Sequence, residues 1–166
     1  MKKIFILLLF TLLLSGCGAN SFVMPDDIEF IKLVKELKTV PEISEYMREN
    51  FEYKANLLYT KTPYQLWETK KGDCSDFAVF AIFIADYHGY ETYLIKVKQK
   101  DGINHVLAAY KEFGYSYTDN KNYYPIEAKT FEEVVIDTYK NRFADWKNYK
   151  VYDNENNLIE EGINGR

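Results

Sequence analysis

The chain has 166 residues, a formal net charge of −4, and an aromatic inventory of 15 Tyr and 11 Phe. That mild acidity argues against a phosphate-tracking surface and against electrostatic docking to anionic lipid, so no nucleic-acid partner is expected. The length suits one domain with one core, filled by large side chains, and excludes two.

In chain order, Lys2 and Lys3 precede an apolar run from Ile4 to Leu14, and Leu14-Ser15-Gly16-Cys17 closes it. A charged start, a short apolar stretch and small residues describe a secretory signal, and the run is too short for a membrane span. The Leu-Ser-Gly-Cys ending resembles a lipobox, which makes Cys17 the expected lipidation site and new N-terminus. The expected organisation is a lipoprotein signal peptide over 1–16, a lipidated tether over 17–25 and a single domain over 26–166.

Pro25-Asp26-Asp27 followed by Phe30, Leu33, Val34 and Leu37 predicts a helix with one apolar stripe. Thr39 and Glu42 form a capping-box pattern ahead of a second helix carrying Ile43, Tyr46, Met47 and Phe51. Tyr59 to Pro63 reads as a loop, and Tyr64 to Lys70 as a short helix or turn. From Ser75 to His88 the chain is nearly all apolar, which predicts a buried helix ended by Gly89 at its C′ position. Strands are expected at Tyr90–Lys98, Asn104–Lys111, Tyr115–Asp119 and Tyr123–Ile126, with Lys100-Asp101-Gly102 as a hairpin turn. A helix over Glu127–Phe143 and a terminal hairpin turning at Asp153–Asn157 complete an α+β domain.

The chemistry gathers around Lys71-Gly72-Asp73-Cys74-Ser75-Asp76-Phe77-Ala78. Cys74 opens the buried helix, where the positive end of the helix dipole favours a thiolate. With Cys17 given to lipid, Cys74 is an unpaired thiol in an extracytoplasmic compartment, which marks it as a candidate reactive group rather than half of a disulfide. His105 opens the strand His105-Val106-Leu107-Ala108, and Asp119 ends the next one. A Cys on a helix start, a His on a strand and an acid on its neighbour are the parts of a thiol hydrolase. His88 is expected at a helix C-terminus, facing solvent or the dipole.

This order resembles the transglutaminase-like superfamily, in particular bacterial transglutaminase-like cysteine peptidases of the LapG type. The matching residues are Thr62-Pro63, Gly72-Asp73-Cys74-Ser75-Asp76-Phe77-Ala78, His105-Val106-Leu107-Ala108 and Thr118-Asp119-Asn120. The resemblance implies a papain-like fold with helices and a Cys-bearing helix on an antiparallel sheet. It also implies Cys74 as nucleophile, His105 as general base and Asp119 as orienting acid. An oxyanion hole needs the backbone N–H of Cys74 and one side-chain donor, for which Gln65, Tyr64 and Trp67 are the upstream candidates. No cofactor is required. Calcium-dependent members carry a further acid just after the cysteine, where this chain has Ser75, so the resemblance leaves a calcium site open on Asp73 and Asp76.

Cell-wall peptidases of the NlpC type share an Asp-Cys-Ser string. They place Gly where this chain has Asp76, need a longer stretch between Cys and His, and orient the base with a further His. The expected protein is therefore a lipid-anchored, extracytoplasmic cysteine peptidase acting through an acyl-enzyme on a protein or peptide substrate. Its alternatives are a peptidoglycan-stem peptidase, a protein cross-linking acyltransferase, and a non-catalytic binding module on the same fold.

Overall fold

The computed structural model describes residues 23–55, 59–102, 104–140 and 145–165. The signal, Cys17 and most of the tether lie outside the described residues, as do the last positions of the helix expected over Glu127–Phe143.

The chain opens with α1 (Ile28–Glu36), whose N-cap Asp27 accepts from the Phe30 backbone N–H at 3.0 Å. The Thr39–Glu42 capping box starts α2 (Val40–Asn50), with both reciprocal hydrogen bonds present. A second box, Thr62 with Gln65, starts α3 (Pro63–Thr69), with Pro63 in the first turn, where its missing N–H costs nothing. Between these helices lies β1 (Glu52–Tyr53), paired in parallel with β2 (Lys71–Gly72). This ladder has two residues per strand, too short for any periodicity to reveal, and the sequence reading missed it.

Next comes α4 (Cys74–Tyr87), closed by the C-cap His88 and by Gly89 at φ 83°. His88 does not simply face solvent. Its Nε2 donates to the Val34 carbonyl at 2.7 Å and ties the end of α4 to α1.

The sheet is built from β3 (Glu91–Gln99), β4 (Asn104–Lys111), β5 (Tyr115–Asp119) and β6 (Asn122–Ala128), followed after α5 (Phe131–Lys140) by β7 (Trp146–Asp153) and β8 (Leu158–Ile163). Its order is β6-β5-β4-β3-β7-β8, with every pairing antiparallel. Strand alternation divides β4 between two cores. Ala108 and Tyr110 join Phe77, Phe80, Ala81, Ile84 and the α1–α3 residues Phe30, Ile43 and Leu66 on one side. Leu107 and Ala109 join Ile95, Tyr117, Val134, Val135 and Val151 under α5 on the other. The result is an α+β domain of three layers, as expected, with the site at one end of the middle strands.

Candidate active site

Local hydrogen bonding fixes where Cys74 sits. Asp73 is the N-cap of α4, and its Oδ1 accepts from the Ser75 N–H at 2.9 Å, the Ser75 hydroxyl at 2.7 Å and the Asp76 N–H at 3.3 Å. Asp76 reaches back: its Oδ2 accepts from the Asp73 N–H at 3.1 Å, while its Oδ1 accepts from the Lys61 N–H at 2.6 Å. The box therefore does two jobs, holding the first turn of α4 and pinning the preceding loop to it. Thr60 adds a hydroxyl contact to Ser75 at 3.2 Å. Asp76 is fully buried, and that burial lifts its carboxyl above the ordinary range against the pull of its two N–H donors.

Gly72 is required by close approach. A Cβ there would stand 2.7 Å from Leu66 Cδ1 and 2.8 Å from both Cβ and Oδ2 of Asp76. Any larger residue displaces the carboxylate that closes the box, and with it the start of α4.

Cys74 is half-buried at the first helical position. On the sheet, Asp119 pairs with Leu107, so His105 lies diagonally across from it at the same end of the strands. His105 Nε2 and Asp119 Oδ1 are 2.7 Å apart, with both side chains nearly fully buried. Asp119 engages Nε2 and leaves Nδ1 outside that contact, and the Cys74 thiol is close enough to act on the same imidazole. Burial alone lowers the imidazole pKa, but Asp119 and Cys74 outweigh it and push His105 up to about 9. Asn120 steadies the acid, its amide donating to Asp119 Oδ1 at 3.1 Å from a left-handed backbone at φ 52°. The left-handed region suits Asn better than most residues.

Of the three upstream oxyanion candidates, each has a structural contact of its own. Gln65 Oε1 accepts from the Thr62 N–H at 3.0 Å within the α3 capping box. The Tyr64 hydroxyl donates to Asp27 at 3.0 Å, and Trp67 packs against Phe30 and Tyr64 with the Lys70 ammonium 4.5 Å from its ring centroid. A further hydroxyl, one the sequence reading did not consider, senses the charge of the same region. Tyr53, on β1 opposite Gly72, has its hydroxyl pKa raised by desolvation and then by negative charge at Cys74 and Asp73. Its signal was hidden in the β1–β2 ladder.

Asp73 and Asp76 are the pair on which calcium was left open. Asp73 Oδ1 and both Asp76 oxygens accept from N–H and hydroxyl donors, whereas a calcium ion wants six to eight oxygen ligands directed at itself. This donor set fits a helix cap rather than a cation. Among the described residues no group of three or more His, Cys, Asp and Glu is placed to hold a metal ion.

The family model of a transglutaminase-like domain matches residues 27–152, and the model of a prokaryotic membrane lipoprotein lipid attachment site matches residues 1–17. No curated protein matches the chain in sequence. Among solved structures, the fold is similar to LapG of Legionella pneumophila, at 13% identity and a TM-score of 0.52, over 80% of this chain and 75% of that one. The calcium-bound form of the same Legionella pneumophila protein gives 13% identity and a TM-score of 0.53, over 81% and 76%. Identities this low speak for the fold.

Proposed function

We propose that the chain, which belongs to the transglutaminase-like family, is a lipid-anchored extracytoplasmic cysteine peptidase that works through an acyl-enzyme on Cys74. The observation that carries this reading is the alignment of Cys74, His105 and Asp119: a thiol at a helix start, an imidazole within its reach, and a carboxylate 2.7 Å from the far ring nitrogen.

The chemistry follows from those positions. His105, held protonated up to about pH 9, stands as an imidazolium beside the Cys74 sulfur, which attacks in its thiolate form. The thiolate attacks the carbonyl carbon of an amide, forming the C–S bond and moving the π pair onto oxygen. The Cys74 backbone N–H, in the first turn of α4, is the main-chain donor for that oxyanion, and the side-chain donor comes from Gln65, Tyr64, Trp67 or the Tyr53 hydroxyl. Collapse breaks the C–N bond as His105 donates its proton to the leaving amine. Water, deprotonated by the now neutral His105, then attacks the thioester, and C–S cleavage restores the thiolate. An amine in place of water makes the same thioester an acyl donor, so peptidase and acyltransferase share every step up to release.

Trapping the acyl-enzyme tests this directly. Incubation with p-nitrophenyl acetate is expected to place one acetyl group on Cys74, visible in the intact mass and localised by peptide mapping. Cys74→Ala remains unmodified. Acetylation spread over lysines, equal in both proteins, would instead indicate a non-catalytic module.

The anchor rests on Leu14-Ser15-Gly16-Cys17 and on the lipid-attachment match. No helix among the described residues is long and apolar enough to cross a membrane. Each buried methylene contributes about 0.8 kcal/mol, so two or three acyl chains hold a small domain far more firmly than one. The full chain is expected to partition into detergent with the membrane fraction, and Cys17→Ser to lose the modification. Mass spectrometry of the native N-terminus checks it; an unmodified Cys17 would make the protein freely released.

A further inference from the structure

Asp119 is the last residue of β5, and Asn120-Lys121 form the two-residue turn into β6, where Asn122 pairs back with Asp119. The ladder fixes the strands, but the turn is held from outside the sheet. The Ser44 hydroxyl, fully buried on α2, donates to the Lys121 carbonyl at 2.6 Å. Arg48, one turn further along α2, donates to the same hydroxyl oxygen at 3.3 Å, which leaves the single hydroxyl proton for that carbonyl. The Lys121 ammonium in turn donates to the carbonyl of Phe51, the C-cap of α2, at 2.7 Å. Lys121 is thereby gripped by α2 at its backbone and at the tip of its side chain.

The segment that grips the turn also grips the nucleophile. The Phe51 ring stacks on Phe77 at 6.2 Å between centroids and meets Phe80 edge-on at 4.9 Å, both on the helix that Cys74 opens. Just after Phe51, the Glu52 N–H donates to the Lys70 carbonyl and the Lys54 N–H to the Gly72 carbonyl, each at 2.8 Å. Those carbonyls belong to the stretch that leads directly into Cys74. Cys74 lies on a helix, whereas His105 and Asp119 lie on the sheet. Phe51 packs on the first part and accepts a hydrogen bond from the turn of the second.

Local folding does not account for the shape of the turn. Asn120 stands at φ 52°, and its Oδ1 is buried without a hydrogen-bond partner among the described residues. An unpaired buried acceptor costs free energy that a turn in open water would avoid. An outside hold is therefore needed, and Ser44 and Lys121 supply it. Its result bears on the site: the Asn120 amide is turned onto Asp119 Oδ1, the oxygen that meets His105.

We infer that Lys121 is a positioning residue of the triad, clamping the Asp119–Asn120 turn to the end of α2 and so setting the carboxylate against His105 while the same segment sets Cys74. The inference rests on the peptidase reading above and deepens it. As a plain cap for a carbonyl at the end of α2, Lys121 would contribute stability alone. As a clamp it acts through Asp119 on the imidazole, so its loss reaches the thiol.

Alkylation of Cys74 by iodoacetamide, followed by peptide mass at about pH 6 and about pH 10, separates the two roles. Lys121→Met keeps the aliphatic stem and removes the donor. It is expected to react at least about threefold more slowly than the native protein at the lower pH and to match it at the higher, since a displaced acid leaves fewer imidazoliums to pair the thiolate. Lys121→Arg, which restores a donor, is expected to recover most of that rate. In an Asp119→Asn background Lys121→Met should add nothing further, because the residue through which it acts is already lost. Ser44→Ala releases the other grip and is expected to slow the low-pH reaction by about twofold. It decides the matter should Lys121→Met fail to fold by circular dichroism. A lowered melting temperature with the native alkylation profile, or an undiminished effect of Lys121→Met in the Asp119→Asn background, would overturn the assignment and leave Lys121 a helix cap. Native alkylation that is indifferent to His105→Ala would instead overturn the peptidase reading, so the two failures are distinguishable.

Discussion

His105→Ala is expected to lower hydrolysis of peptides and of activated esters by about 10² to 10⁴-fold, the range spanned by loss of a positioned acid–base group. The imidazole has three tasks: pairing with the thiolate, protonating the leaving amine and activating water. No other imidazole can substitute, because His88, the second of two in the chain, is bound to the Val34 carbonyl at the opposite end of α4. Peptide hydrolysis should suffer more than ester hydrolysis, since an amine needs its proton and a nitrophenolate does not. A steady-state comparison of both substrates in both proteins checks this, with thermal unfolding as the control for folding.

Asp119→Asn should show itself in pH dependence. In the native protein Asp119, together with Cys74, works against burial to raise His105 from its ordinary 6.5 to about 9. The alkaline limb of kcat/KM is therefore expected near pH 9, where the imidazolium loses the proton it must donate. Removing the carboxylate charge moves that limb to lower pH and reduces the rate at pH 7 by about tenfold or more. Stability follows with a defined sign. A group whose pKa is raised on folding contributes stability that is fully present below its unfolded value, here 6.5, and is lost as pH rises through about 9. At about 1.4 kcal/mol per pKa unit, the loss across that window is roughly 3 kcal/mol. Thermal unfolding at a series of pH values should show the decline in the native protein and a flatter curve in Asp119→Asn.

Where local chemistry dictated structure, the sequence was readable. The Thr39–Glu42 box, the apolar run after Cys74, Gly89 and the turn at Asp153–Asn157 each declare an element boundary, and each stands where it was expected. The α+β class and the transglutaminase-like family followed from the order of such elements and the Cys-His-Asp spacing. The helix expected over Glu127–Phe143 begins later, at Phe131, because Asn122–Ala128 continue β6 with Glu127 at φ 52°. There the pairing of Tyr115 with Ala128 overrides local helix preference. The upstream oxyanion candidates illustrate a different gap. Gln65 and Trp67 lie close in sequence to Cys74, and α3 also uses the Gln65 carbonyl oxygen in its cap and the Trp67 ring in the Phe30 cluster, duties the sequence did not declare. Tyr53 is paired with Gly72, two residues before Cys74, by a two-residue ladder whose pairing is not local.

The central claim is that Cys74 is a nucleophile made by its partnership with His105. The most direct measurement is the rate of iodoacetamide alkylation of Cys74, followed by peptide mass, across about pH 5 to 10 in the native protein and in His105→Ala. The account predicts that the native rate at about pH 6 stays within a few-fold of its value at pH 8, as an imidazolium-paired thiolate requires. His105→Ala should be at least about tenfold slower at pH 6 and converge with the native protein on the alkaline side. Superimposable, steeply rising profiles in the two proteins would contradict the account and leave Cys74 a structural thiol on a hydrolase-like fold.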